Sequence, residues 1–116
     1  MNKTSKEDFE YFQDQCLKYI KQLGLLDFKI YWEHAKHPDA YAYITPEVND
    51  GQAVIGLAIN WGTQKVTKQM LTYCAKHEVL HLLIADLVEV GKRRNSIAED
   101  FTRAQHAIIR RLENWN

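Results

Sequence analysis

The chain has 116 residues, 46% hydrophobic and 26% charged, which predicts one globular domain spanning residues 1–116. Its 15 basic and 15 acidic residues balance to zero net charge, so overall charge indicates neither a nucleic-acid partner nor an anionic membrane. No apolar run approaches the roughly 20 residues that span a bilayer. The start, MNKTSKEDFEYF, lacks the apolar region of a signal peptide.

The first predicted element is a helix over residues 5–23. Aromatic and aliphatic side chains recur there at helical intervals, which is typical of an amphipathic helix. Thr4 and Glu7 have the spacing of an N-terminal capping box, and Gly24 is a common residue at a helix end. We therefore expect the helix to begin just after Thr4 and to end at Gly24.

Three strands are predicted next. Residues 28–34 (FKIYWEH) are rich in aromatic and β-branched residues, which favour strands. Residues 40–48 (AYAYITPEV) form a second segment of this kind, in which Pro46 indicates an edge position. The sequence NDG at 49–51 is a tight-turn signal, and it leads into a third strand at 52–62 (QAVIGLAINWG).

Two helices complete the predicted order. A long one is expected from about residue 65 to residue 90 and is closed by Gly91. Another begins after a cap at Asn95 or Ser96 and continues to about residue 114. A helix, three strands and two further helices predict an α+β fold, in which a three-stranded antiparallel sheet packs on the helices.

Cysteine usage bears on the cellular compartment. Cys16 and Cys74 are the two cysteines of the chain, and neither belongs to a CxxC pair. Isolated thiols without a secretion signal fit a reducing compartment, so a cytoplasmic protein is expected. Both lie among apolar neighbours in predicted helices, which favours buried and unreactive thiols.

The most specific chemical signal is in YCAKHEVLHLLIADL, residues 73–87. His77 and His81 stand four residues apart, and Glu78 directly follows the first histidine. Successive helical residues rotate by about 100°, so the two histidines share a helix face and can reach one metal ion. Burying these polar groups in so apolar a segment is costly without partners, and a metal ion would be such a partner.

The HExxH spacing indicates zinc and a hydrolytic reaction. Neutral imidazoles suit zinc, and a catalytic zinc site uses three protein ligands and leaves one position for water. Zinc lowers the pKa of that water and polarises a substrate carbonyl. Glu78 is placed to accept a proton from the water and to deliver it to the leaving amine. The alternative is an ordinary helix with a histidine pair and no metal.

A third ligand is expected from the last predicted helix. If that helix folds back around GKRRN (91–95), the middle of the motif faces about position 106, where the chain has His106. Glu99, seven residues earlier on the same helical face, and Asp100 are rival candidates. His106 and Glu99 both lie off the apolar seam of this helix, so periodicity does not choose between them.

The HEVLH motif, preceded by three strands and followed by a helix, resembles minimal gluzincin and SprT-like zincin metallopeptidases. It also resembles small metallopeptidases encoded by phages and prophages. The likeness covers most of the chain in element order, but only His77, Glu78 and His81 match specifically. It implies that both histidines bind zinc and that the glutamate is the general base. Glu99 matches the gluzincin third-ligand glutamate only loosely, and neither HExxHxxGxxH nor a SprT-type third-histidine motif is present.

The resemblance also implies how a substrate binds. In zincins an extended peptide adds to an edge strand above the motif helix, and residues 53–62 (AVIGLAINWG) are the strand expected to do this. Donors to an oxyanion could come from Tyr41, Tyr43, Tyr73 or Arg103.

Two other functions stay open. The chain is alternatively a catalytically inactive zincin-like binding or regulatory module, in which zinc is structural or absent. Nucleic-acid contact is suggested only by Lys92, Arg93 and Arg94, and short basic runs are usually just solvated. The sequence does not indicate the oligomeric state.

Overall fold

The computed structural model describes residues 1–93 and 98–113. The helices of this part are α1 (Lys6–Gln22), α2 (Lys68–Leu83), α3 (Ala85–Arg93) and α4 (Ala98–Glu113). Its strands are β1 (Asn2–Lys3), β2 (Lys29–Ala35), β3 (Ala42–Glu47), β4 (Gln52–Ala58) and β5 (Asn60–Gly62). The predicted α+β class is therefore confirmed.

The N-terminal helix α1 begins with a capping box one position later than predicted. Ser5 is the N-cap: its Oγ accepts a hydrogen bond from the Asp8 N–H at 3.1 Å, and the Asp8 carboxylate accepts from the Ser5 N–H at 2.8 Å. The predicted Thr4–Glu7 box is therefore wrong. The Thr4 side chain is instead buried, and its hydroxyl donates to the carbonyl oxygen of Ala58 at 2.8 Å.

The main sheet has the strand order β2–β4–β3. β3 pairs antiparallel with β4, whereas β2 pairs parallel with β4. The predicted all-antiparallel sheet is thus wrong in part, because β4 inserts between two strands that run in opposite directions. The β3–β4 turn passes through a short 3₁₀ segment, Val48–Asp50, and then Gly51, whose φ of 63° lies in the left-handed region that favours glycine.

The strand β4 is central and β3 is an edge, so the prediction that residues 53–62 form the edge strand is wrong. The continuous apolar run of β4 is buried along most of its length, as is typical of a strand with neighbours on both sides. Pro46 did indicate an edge correctly, since it lies in β3.

The free edge of β3 can be read from its pairing with β4. The Ala58 N–H donates to the Tyr41 carbonyl oxygen at 2.8 Å, and hydrogen-bonded pairs alternate along an antiparallel ladder. Ala42, Ile44 and Pro46 therefore turn their backbone groups away from β4. Pro46 has no N–H, and at this position the ladder does not need one.

One face of the sheet packs against α1 and α2 to form the main core. Its largest fully buried side chains are Trp61, Phe12, Ile20, Ile55, Leu57 and Leu71. A smaller cluster of Leu80, Ile84 and Ile109 joins the end of α2 to α4. Burial of apolar surface at about 25 cal/mol per Å² makes these clusters the main favourable contribution to folding.

The predicted long helix over 65–90 is divided into α2 and α3. Ile84 leaves helical geometry, with φ −101° and ψ 7°, while its side chain is buried in the small cluster. Neither glycine nor proline marks this break in the sequence. The predicted caps Asn95 and Ser96 lie outside the described residues. No helix of the described ranges is long and apolar enough to cross a membrane.

Candidate metal centre

Three histidines meet where α2 and α4 face each other. His77 and His81 lie one turn apart on α2, and His106 lies on α4. One ligand nitrogen from each of the three lies within 4.8 Å of the others. This cluster could hold a metal ion. The structure thus brings together the three histidines that the sequence singled out.

Among the described side chains, the rival ligand Glu99 does not join this cluster. The Glu99 side chain is exposed, and the Asp100 side chain lies outside what the structure describes. On α4, Gln105 contacts His81 and Glu113 contacts His77, so α4 runs antiparallel to α2. This is the arrangement from which His106 was predicted, although α2 ends at Leu83.

The spacing of the two α2 histidines suits a metal ion. Their Nε2 atoms face each other at 3.2 Å. Zinc–nitrogen bonds of about 2.0–2.1 Å in a tetrahedral site put two ligand nitrogens roughly 3.3 Å apart. The pair therefore already has the separation that a shared zinc ion requires, and the third nitrogen lies within the wider 4.8 Å limit of the cluster.

Electrostatics keep His81 available as a ligand. Burial, together with the neighbouring His77 and His106, lowers the pKa of His81 to about 4. His81 is therefore neutral at physiological pH and has a ring lone pair to offer. A set of imidazole donors suits zinc, copper, iron or nickel, so the ligands alone do not fix the metal.

Each α2 histidine also has a partner for its other ring nitrogen. His77 Nδ1 lies 2.7 Å from Glu113 Oε1, and His81 Nδ1 lies 3.0 Å from Gln105 Nε2. These contacts hold the imidazole rings with both Nε2 atoms directed into the cluster. The sequence analysis missed both partners. The available signal was spacing, because Gln105 adjoins His106 and Glu113 follows it by seven residues on the same helix face.

Glu78 is buried beside the histidines, with 7% of its surface exposed. Burial, and next the charge of Glu113, raise the pKa of Glu78 to about 8. A carboxyl group whose pKa lies near neutrality can both accept and return a proton, which general acid–base chemistry requires.

A cleft of about 180 Å³ opens next to Glu78. Its lining consists of Tyr41, Ala42, Tyr73, Cys74, His77 and Glu78. A second cleft, of about 240 Å³, opens beside His81 and includes Ile44, Pro46, Val48 and Gln105. The free edge of β3 thus runs past the histidines from one cleft to the other.

The predicted oxyanion donors are separated by the fold. Tyr41 and Tyr73 line the cleft beside Glu78. The hydrogen bond from Tyr73 to Glu113, more than burial, raises the pKa of Tyr73 to about 12. Tyr43 is not in the lining of either cleft, because it donates to the Glu33 carboxylate and stacks on the His37 ring.

Two other predictions concern Arg103 and the cysteines. Arg103, the fourth candidate donor, is exposed on α4. Both cysteines, Cys16 and Cys74, are buried free thiols, so the predicted burial is confirmed.

Comparisons with family models, with curated proteins and with solved structures found no match to this chain. Any assignment of function therefore rests on the residues of the site.

Proposed function

We propose that the chain is a zinc-dependent metallopeptidase of the zincin type. His77, His81 and His106 are the metal ligands, and Glu78 is the general base. The observation that carries this proposal is the convergence of three imidazole nitrogens within 4.8 Å beside a buried carboxyl group. A structural zinc site is closed by four protein ligands, whereas three protein ligands leave a position for water. A three-histidine set therefore favours catalysis.

The role of Glu78 follows from its position and charge. Zinc, when bound by the three histidines, supplies an activated water and polarises the substrate carbonyl. A nearby cation favours the ionised carboxylate, so the pKa of Glu78 falls below its metal-free value of about 8. Glu78 then accepts a proton from the attacking water and transfers it to the amine that leaves.

The free edge of β3 supports an extended peptide as the substrate. Ala42, which is 8% exposed, and Ile44 direct their N–H and C=O groups away from β4 at alternate positions, which is the pattern that an added strand pairs with. Ala42 borders the cleft beside Glu78, and Ile44 borders the cleft beside His81. A peptide paired with both residues therefore passes the histidines, with a cleft for side chains on either side. Pro46 removes the next outward donor and limits the length of this pairing.

The test combines metal analysis with peptide hydrolysis. Purified protein is expected to contain about one zinc per chain, and to cleave members of a broad peptide mixture followed by mass spectrometry. Glu78→Gln is expected to keep the metal and lose turnover, because it removes the proton acceptor without removing a ligand. Turnover that persists in Glu78→Gln would refute the role of Glu78 as the general base.

Two variants of α4 complete this test. His106→Ala is expected to reduce the zinc content, because it removes one of three ligands. Glu99→Gln is the matched control, since it changes an exposed carboxylate on the same helix and should keep both metal and turnover. Zinc lost with Glu99→Gln but kept with His106→Ala would reassign the third ligand.

The remaining alternatives are outcomes of the same experiments. Zinc retained without Glu78-dependent turnover on any peptide would favour the inactive zincin-like module. Of the basic run, Lys92 lines the cleft beside His81, whereas Arg94 and the Arg93 side chain lie outside the described residues. Nothing in the described part of the chain adds to the nucleic-acid alternative.

A further inference from the structure

We propose that Glu113 is a positioning residue, which fixes the tautomer and orientation of the His77 imidazole so that its Nε2 is ready to bind metal. This inference rests on the proposed metal site, but it concerns a residue outside the ligand set. The structure assigns Glu113 this role through contacts that come from one face of α2.

Three side chains of α2 hold Glu113 in place. Its own side chain is 9% exposed, and its Oε1 lies 2.7 Å from His77 Nδ1. The Tyr73 hydroxyl donates to the same carboxylate, and Lys76 Nζ donates to the Glu113 backbone oxygen at 2.8 Å. A largely buried carboxylate with this many partners is not a solvated surface charge. Its orientation is therefore set by α2 as much as by its own helix.

The partner of His77 decides which ring nitrogen carries the proton. An ionised carboxylate only accepts hydrogen bonds, so His77 Nδ1 must carry the proton that is shared with Glu113. The other nitrogen of a neutral imidazole, Nε2, then presents a lone pair. This Nε2 is the atom that faces His81 at 3.2 Å. Glu113 thus selects the one neutral tautomer of His77 that can bind a metal in the cluster.

The partner of His81 does not impose this choice. The Gln105 amide can donate through its NH₂ group or accept through its carbonyl oxygen, so it suits either tautomer of His81. The Gln105 NH₂ nitrogen lies 3.0 Å from His81 Nδ1, and if it donates there, a neutral His81 carries its proton on Nε2, which lies 3.2 Å from His77 Nε2. To offer Nε2 to a metal, a neutral His81 would need the tautomer with its proton on Nδ1, and the Gln105 carbonyl oxygen would then have to face that proton. His77 needs no such change, because Glu113 has already fixed it.

The test uses two readouts that do not depend on turnover. Zinc affinity is measured by competition with a chelator, and the His77 tautomer is read from imidazole ¹⁵N chemical shifts of the metal-free protein. Glu113→Ala is expected to weaken zinc binding by about 10–100-fold and to let the proton occupy Nε2 of His77. Glu113→Gln keeps a similar shape, but its amide can donate as well as accept, so a smaller loss of affinity and a mixture of His77 tautomers are expected. Glu99→Gln, an exposed change on the same helix, should leave both readouts unchanged.

Each outcome decides the proposal. An unchanged zinc affinity and an unchanged His77 tautomer in Glu113→Ala would overturn it. Zinc loss as complete as in His106→Ala would also overturn it, because Glu113 would then be a ligand. If Glu113→Ala does not fold, the isosteric Glu113→Gln provides both readouts, and equality with wild type in both would count against the role. Zinc binding without peptide hydrolysis would refute the proposed peptidase while leaving the role of Glu113 intact.

Discussion

The buried carboxyl group of Glu78 is expected to make the metal-free protein less stable as the pH rises from about 6.5 to about 8. The pKa of Glu78 is about 8 in the folded chain against an ordinary value of 4.5, mainly because burial disfavours its ionised form. Between these values the folded state binds more protons than the unfolded state. The free energy of unfolding therefore falls as the pH rises through this range.

His81 has the opposite effect at lower pH. Its pKa falls from 6.5 to about 4 on folding, chiefly through burial, so the unfolded state binds more protons between these values and stability rises with pH there. Below about pH 6.5 the contributions of Glu78 and His81 to the pH dependence of the free energy of unfolding oppose each other. Above this pH only the contribution of Glu78 remains, and each pKa unit is worth about 1.36 kcal/mol. The free energy of unfolding is thus expected to fall by ~2 kcal/mol between pH 6.5 and pH 8.

The assay is urea unfolding of chelator-treated protein at both ends of this window. The free energy of unfolding of the wild type is expected to fall by ~2 kcal/mol between the two pH values. That of Glu78→Gln should fall much less, because its amide does not ionise. Glu99→Gln serves as the control for an exposed carboxylate and should follow the wild type. Equal losses in wild type and Glu78→Gln would refute the reasoning, since some other group would then carry the pH dependence.

Two further predictions concern side-chain packing. In Gly56→Ala the new Cβ would overlap the Tyr43 ring, so a loss of ~1–3 kcal/mol in thermal or urea unfolding is expected, and adding Tyr43→Ala should recover part of it. A double variant no more stable than Gly56→Ala would show that the ring is not the cause. Ile109→Ala should cost ~2–5 kcal/mol and weaken zinc binding, because Ile109 is fully buried on the helix that carries His106. Wild-type zinc affinity in this variant would contradict coupling between the small cluster and the metal centre.

Local sequence patterns predicted the helices and strands of this fold more accurately than they predicted which strands pair. Helical and strand segments depend on spacing and residue type along the chain, so most were predicted within a few residues. Which strands pair, and in which direction, depends on contacts between distant residues, and the predicted all-antiparallel sheet was wrong for the pairing of β2 with β4. Two local signals did bear on it. The continuous apolar run of 53–58 is typical of a central strand, and Pro46 is typical of an edge.

The site was predictable to the extent that helix periodicity defines it. The spacing of His77 and His81 fixes a shared face, and a helix that folds back brings His106 opposite. The same periodicity places Glu113 on the helix face of His106 and Gln105 beside it, but it does not predict which histidine each contacts, because that depends on how α4 is rotated about its axis. That rotation is set by tertiary packing at Ile109 and its neighbours, which chain spacing does not reveal.

The position of α4 in the chain has a consequence for the order of assembly. The main core contains residues of α1, the sheet and α2, and within the described residues it takes none from α4. During synthesis every segment of this core emerges before α4, because the chain grows from its N-terminus. His77 and Glu78 have then emerged while the third histidine is still missing. Under the proposed function, a partly synthesised chain would lack hydrolytic activity toward other unfolded chains until α4 docks.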